Sequence, residues 1–382
     1  MPFAGALSEH PVTSLATGEV IGSVLESIGE RPDLAVVTVT RPHLGALEDV
    51  VAAVDAVLHP LAMVGCASDG VVGTGREVEE SPAVSLWAGR VGPLVTVTLR
   101  ASRTAEDDWE FTGWPADLRI RPSAVVLFAD AFTFPADRFV DWLAAVAPGV
   151  PVIGGNAAAG RVPGGNRLVA GGRVVNEGAV AVVIGAGVEV DTVVSQGARP
   201  YGQLLTVTGV ERNLVLEVAG TPALESLVGQ ITGELVPAEV AGLEAHGFHL
   251  GRLIDERLVD PGAGDFLVRD VVGVDHATGA IAVDDRVPLG SAVRFHLRDP
   301  GSADADLRSL LAGRRADGAL LFTCSGRGTR FFDEADHDAG VLSELLGPVP
   351  VGGCSAAGEF GPVGGTGFVH RSTASVALFR DR

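Results

Sequence analysis

Apolar and polar positions along this chain recur in one order. Residues 34–40 (LAVVTVT) form an unbroken apolar and β-branched run, the mark of a strand buried on both faces. A polar loop, Arg41-Pro42-His43, follows it. Leu47, Val50, Val51, Val54, Val57 and Leu58 then fall at i, i+3, i+4 spacing, which predicts an amphipathic helix stopped by His59-Pro60. Residues 61–64 predict a second strand, 65–70 a Gly-bounded loop, and 83–87 a closing strand. The order returns at 124–129 (AVVLFA), with loop Asp130-Ala131-Phe132 and a helix opened by Pro135 that carries Phe139, Trp142, Leu143 and Val146 on one face. A strand at 150–153, the loop GGNAAAG (154–160) and a closing strand at 179–184 complete it. It returns again at 319–323, with loop CSGRG (324–328), a helix carrying Val341, Leu342, Leu345 and Leu346, a strand at 349–351, the loop 352–358 and a strand at 374–379. In this alignment Cys66, Asn156 and Cys354 take matching places in their Gly-rich loops. A strand, a helix and a second strand in that order predict a parallel pair joined by a crossover.

Other segments differ. Residues 204–208 predict a strand, and Thr221-Pro222 opens a helix with Leu224, Leu227, Val228 and Ile231 inward. Residues 266–274 and 280–283 predict a hairpin around Thr278-Gly279, and 293–297 a further strand. The expected fold class is α/β: repeated strand–helix–strand units with Gly-rich loops, in two α/β halves whose mixed sheets are covered by helices. The expected boundaries are an N-terminal extension at 1–30, a first domain at 31–215 and a second at 216–380.

Composition narrows the function. Hydrophobic residues make up 47% of the 382, enough for a packed core, and with aromatics at 5% that core must be built from Val, Leu and Ala. The net charge is −20 and all 28 basic residues are Arg. An acidic surface disfavours nucleic acid and anionic membranes as partners, and the absence of Lys removes Schiff-base and P-loop lysine chemistry. The three cysteines, Cys66, Cys324 and Cys354, include no C-x-x-C pair. With no signal-peptide pattern, that usage leads to the expectation of a reducing, cytoplasmic setting. No stretch matches GxGxxG or Walker A. His246-Gly247-Phe248-His249 and the acidic run 333–338 (DEADHD) fit neither zinc nor EF-hand spacing, so neither cofactor nor metal is expected, and the acidic run reads as a solvated loop at a helix start.

GGNAAAG (154–160), QGARPYG (196–202), TPALESL (221–227), FLVRD (266–270), FHLRD (295–299), LLFTCSGRG (320–328) and GGCSAAGEFGP (352–362), with the tail 370–379, together resemble the FIST family in its N- and C-terminal parts, over residues 30 to 380. The resemblance implies a sensory, signal-transducing module that binds a small ligand such as an amino acid and passes its response to a separate signalling protein. Family relatives joined to an F-box imply a protein-interaction scaffold as one alternative.

Ligands of open parallel sheets sit beyond the carboxyl ends of the strands, where the Gly-rich loops fall. Arg327, between Gly326 and Gly328, and Arg199 are candidate clamps for a carboxylate. Glu359 or Asp130 would meet an amine, and Gly155, Asn156, Cys354, Ser355 and Cys324 would line the loops. A second alternative is a cysteine-dependent hydrolase or transferase using Cys324 or Cys354, with His370 or His337 as base. Against it stands the habit of free cysteines to act as small buried hydrophobes.

Overall fold

The structure, a computed structural model, describes residues 2–105 and 108–381. It is mixed α/β and divides into two compact units that do not follow chain order. One contains residues 1–194 and 308–382; the other, residues 195–307, is inserted between them.

The larger unit opens with β1 (Phe3–Ser8) and α1 (Thr13–Ile28). The first crossover follows as β2 (Leu34–Thr40), α2 (Leu47–Leu58) and β3 (Ala62–Ser68), then a hairpin of β4 (Gly70–Gly73) and β5 (Arg76–Glu79), and β6 (Val84–Gly89). β7 (Leu94–Arg103) and β8 (Trp109–Thr112) lead to the second crossover: β9 (Pro122–Ala129), α3 (Ala136–Val146) and β10 (Val152–Asn156). After it come a hairpin of β11 (Leu168–Ala170) and β12 (Arg173–Val175), then β13 (Ala179–Gly185) and β14 (Glu189–Ser195).

The inserted unit holds β15 (Ala198–Glu211), β16 (Leu214–Val218), β17 (Thr221–Pro222), α4 (Ala223–Glu234), α5 (Pro237–His246), β18 (His249–Leu253), β19 (Phe266–Asp275), β20 (Ala280–Val283) and β21 (Ala292–Arg298). Its sheet runs β15-β21-β18-β19-β20-β16-β17. α6 (Pro300–Leu311) leads back to the larger unit, where β22 (Gly318–Cys324), α7 (Thr329–Phe332), α8 (His337–Leu346) and β23 (Val351–Ala356) form the third crossover. A hairpin of β24 (Glu359–Val363) and β25 (Thr366–His370) and the closing strand β26 (Ala374–Arg380) finish the chain.

The pairs β2/β3, β9/β10 and β22/β23 are parallel. Each sits in its own sheet: β1-β6-β2-β3-β11-β12, β25-β24-β10-β9-β13-β7-β8 and β14-β26-β22-β23-β4-β5. The hairpin on the outer side of each second strand comes from elsewhere in the chain: β11–β12 completes β3, β24–β25 completes β10, and β4–β5 completes β23. Residues 1–30 belong to this unit as well, with β1 antiparallel to β6 and Phe3 fully buried.

The inner faces of these sheets share one apolar core, including Val36 and Val64, Val126 and Ile153, and Leu320 and Phe322. At the amino end of the parallel strands it is closed by Phe3, Trp87 and Phe379, whose ring centroids lie 5.1–5.8 Å apart. Those are separations at which aromatic pairs add attraction beyond their buried area. The outer face of the first sheet is covered by α1 and α2, and that of the second by α3. Among the described residues no helix is long and apolar enough to cross a membrane.

One backbone detail re-registers the Gly-rich loops. Gly154 and Gly353 take φ of +148° and +141°, and a Cβ on either would stand 1.9 Å from the carbonyl oxygen of Leu127 or Leu321 in the neighbouring strand. Gly65 occupies the same place opposite Val37. The residue that matches Cys66 and Cys354 is therefore Gly155, one position before the expected Asn156, because backbone sterics fix the glycine that starts each loop.

Candidate functional site

Beyond the carboxyl ends of β9, β10, β22 and β23, polar side chains collect in one region of the larger unit. Asn156 ends β10; its N–H donates to Gly358 O (2.9 Å) and its carbonyl accepts from Ala357 N (3.0 Å). The residue is 7% exposed, and its buried Oδ1 has no hydrogen-bond partner among the described residues. Gly155 stands opposite Glu359 across the β10–β24 pair, and a Cβ there would meet the Ala356 Cβ at 2.5 Å, so glycine permits that approach. Glu359 is fully buried, and its Oε2 accepts from Thr373 N (3.0 Å) and Thr373 Oγ1 (2.9 Å). Thr373 O in turn accepts from Cys324 N at 3.0 Å. Ser325 donates through N and Oγ to Ala356 O, and the buried Ser355 accepts at its carbonyl from Ser68 Oγ. Hydrogen bonds thus tie Glu359 to Cys324 through Thr373, while Asn156 is tied through its backbone to Ala357 and Gly358 just before Glu359. Asp130 follows β9, where Ala157 N bonds Ala129 O (2.9 Å). Its buried carboxylate accepts from Thr133 Oγ1 (2.6 Å) and Asn166 Nδ2 (2.8 Å), which fixes the turn at the end of that strand. Gly326 is exposed at the surface of the third loop, and among the described residues its N–H reaches only the Cys324 sulfur, at 3.4 Å.

The expected clamps lie elsewhere. Arg327 is fully buried and its Nε donates to Asp338 Oδ2 at 2.8 Å, so its guanidinium serves an internal ion pair. Thr323 Oγ1 donates to the same oxygen (2.7 Å), while Oδ1 faces His337 Nδ1 at 3.0 Å. Burial by itself would raise the Asp338 pKa, but the Arg327 charge and the His337, Arg327 and Thr323 hydrogen bonds outweigh it and hold the carboxyl at about 2. Phe332 lies face to face with His337 (centroids 3.4 Å, 10° between planes) and 5.2 Å from the Arg327 guanidinium carbon. Gly328 packs under the Glu79 carboxylate, which accepts from Thr329 N (2.8 Å) and Oγ1 (3.0 Å). Part of the acidic run is structural: Asp338 is buried, and Asp336 Oδ1 accepts from Glu77 N at 2.6 Å. Arg199, in the inserted unit, pairs with Glu239. In that unit the second histidine of H-x-x-H, His249, faces Asp270 through Nε2 at 3.3 Å.

The cysteines separate into two environments. Cys66 and Cys354 are buried with sulfurs 3.8 Å apart, and the hydrogen bond between them, together with burial, pushes the Cys66 thiol well up. His370 is buried, with Nε2 against Gly361 O at 2.9 Å. Cys324 alone of the three is partly exposed. Iodoacetamide applied to the native protein is expected to modify Cys324 first, and Cys66 and Cys354 only after unfolding, as read by peptide mass spectrometry. Equal native labelling of all three would contradict this burial pattern.

Sequence patterns did not single out Thr373, Asn166, Glu77 or Asp338. Each becomes a partner only through pairings across many residues, and Asp338 alone carried a local signal, as the acid next to a helix start.

Two comparisons bear on this region. Family models for the FIST N domain and the FIST C domain match residues 33–221 and 223–362. An uncharacterized protein of Mycobacterium bovis is 39% identical over 379 residues, covering 97% of each chain. An uncharacterized protein of Mycobacterium tuberculosis is 38% identical over 388 residues, covering 100% of each.

Proposed function

Because this chain belongs to the FIST family, whose domains are generally sensory and signal-transduction modules, we propose that it binds a small ligand, such as an amino acid, at the carboxyl ends of β9, β10, β22 and β23. The observation that supports this reading is the Asn156 side chain, whose buried Oδ1 lacks a partner among the described residues, next to Gly155, which stands opposite Glu359. A buried acceptor left unpaired costs about 1–3 kcal/mol, and a ligand amine would satisfy it. The ligand's oxyanion would face the exposed loop at Gly326, whose N–H is held only by a weak sulfur acceptor and can turn to a stronger one. With Arg327 and Arg199 committed to Asp338 and Glu239, recognition in this reading uses backbone groups and Asn156 in place of a guanidinium clamp. Binding would then be passed to a separate signalling protein.

A thermal-shift screen of amino acids, followed by calorimetry on the best, tests this. Asn156→Ala is expected to weaken binding about ten-fold, the equivalent of one good hydrogen bond. No saturable shift across the panel, or unchanged affinity in both Asn156→Ala and Glu359→Gln, would sink the reading.

A further inference from the structure

The larger unit carries a second, differently built cleft at the opposite end of its third sheet, beside the amino end of β22 and the carboxyl end of β26. It measures about 620 Å³ and is lined by Glu189, Asp191, Arg314, Arg315, Asp317 and Arg380. Glu189 and Asp191 lie two residues apart on β14, an edge strand, and so share one face. They hold two of the arginines: Asp191 pairs with Arg314, and Glu189 with Arg380 at 3.2 Å. These pairs are a third to a half exposed, so solvent screens them and an incoming ligand can exchange with them at low cost.

Two charges remain open. Among the described residues the exposed Arg315 guanidinium has no carboxylate partner. Among the described residues Asp317 uses only Oδ2, which accepts from Asp381 N at 2.8 Å, and leaves Oδ1 open. Among the described residues the lining is thus three guanidinium groups against three carboxylates, electrically balanced on a chain of net charge −20. A simple anion would meet the carboxylates, and a simple cation the arginines. The volume falls within the roughly 300–1,000 Å³ of small-molecule sites and suits a molecule larger than a single ion.

We propose that this cleft binds a dipeptide-sized zwitterion, its oxyanion on the fork of Arg315 and its ammonium on Asp317. This site is separate from the one at the carboxyl ends of the strands and stands or falls without it.

Calorimetry with glycylglycine, succinate and putrescine tests the proposal. Saturable binding of glycylglycine is expected, weakened about ten-fold by Arg315→Ala and by Asp317→Asn, as loss of one charge-assisted contact requires. The surface position of both residues keeps the variants folded, which circular dichroism checks. The proposal is overturned if glycylglycine fails to saturate, if it binds both variants as it binds the parent protein, or if succinate or putrescine binds as tightly.

Discussion

Replacing Arg327 with alanine is expected to destabilise the protein by about 3–5 kcal/mol, the cost of breaking a buried ion pair from one side. The Asp338 carboxylate that remains is 1% exposed and keeps only Thr323 and His337 as partners. Without the guanidinium its pKa must rise from about 2, and burial then favours the protonated acid. Stability that this group contributes is present above the unfolded carboxylate value and is lost as pH falls through the folded one. Arg327→Ala should therefore bring acid unfolding to a higher pH as well as lower the urea midpoint at pH 7. The double variant Arg327→Met, Asp338→Leu should recover most of the loss, since an apolar pair of similar volume replaces both charges. A midpoint that stays put in the single variant would mean that the pair is solvated in solution.

The second large effect has the opposite sign. Glu77 of β5 lies against the same cluster, its Oε1 accepting from Ala339 N (2.9 Å) in the first turn of α8. Burial, and then the charges of Asp338 and Glu79, push its pKa up to about 8, against the smaller pull of the Ala339 bond and Arg327. The folded protein thus keeps a proton that the unfolded chain releases near pH 4.5. Stability from this site is greatest below that value and declines as pH rises towards 8. The loss is on the order of a few kcal/mol, at 1.36 kcal/mol per pKa unit. Glu77→Gln keeps an acceptor for Ala339 and carries no charge, so it should stabilise the protein at pH 8 and change little at pH 4.5. Urea midpoints at both pH values check this; parallel curves for parent and variant would refute it.

Much of the fold was legible. The run 34–40 is apolar on both faces because it lies mid-sheet between a core and the layer of α1 and α2, and 319–323 is buried in the same core. Those surroundings dictate their composition. The hairpin around Thr278-Gly279 is likewise local chemistry, since Gly279 supplies the positive φ of the turn. The hairpins 70–79, 168–175 and 359–370 were not legible, because periodicity describes a strand's faces and carries no information on which distant edge receives it. The Asn156 alignment slipped for a related reason: with Gly154 and Gly155 adjacent, only the Leu127 carbonyl decides which of them starts the loop. At the candidate site, Glu359 was recognisable as an acid in a Gly-rich loop and Asp130 as an acid just past a strand end. Arg327 was misleading, because its partner Asp338 sits in an acidic run that reads as solvent-facing.

The exchanged hairpins set an order of events during synthesis. The edge of β10 is completed only by β24 and β25, whose residues from Glu359 onward leave the ribosome long after Asn156. Until then a nascent chain with its first two crossovers formed presents unpaired N–H and C=O groups along β10, a template for pairing with other chains. The edges of β3 and β23 are in the opposite position, since β11–β12 emerges soon after β3, and β4–β5 is waiting before β23 is made. Of these edges, β10 is the one that a growing chain must shield longest, and a stop codon shortly before residue 359 would leave it open for good.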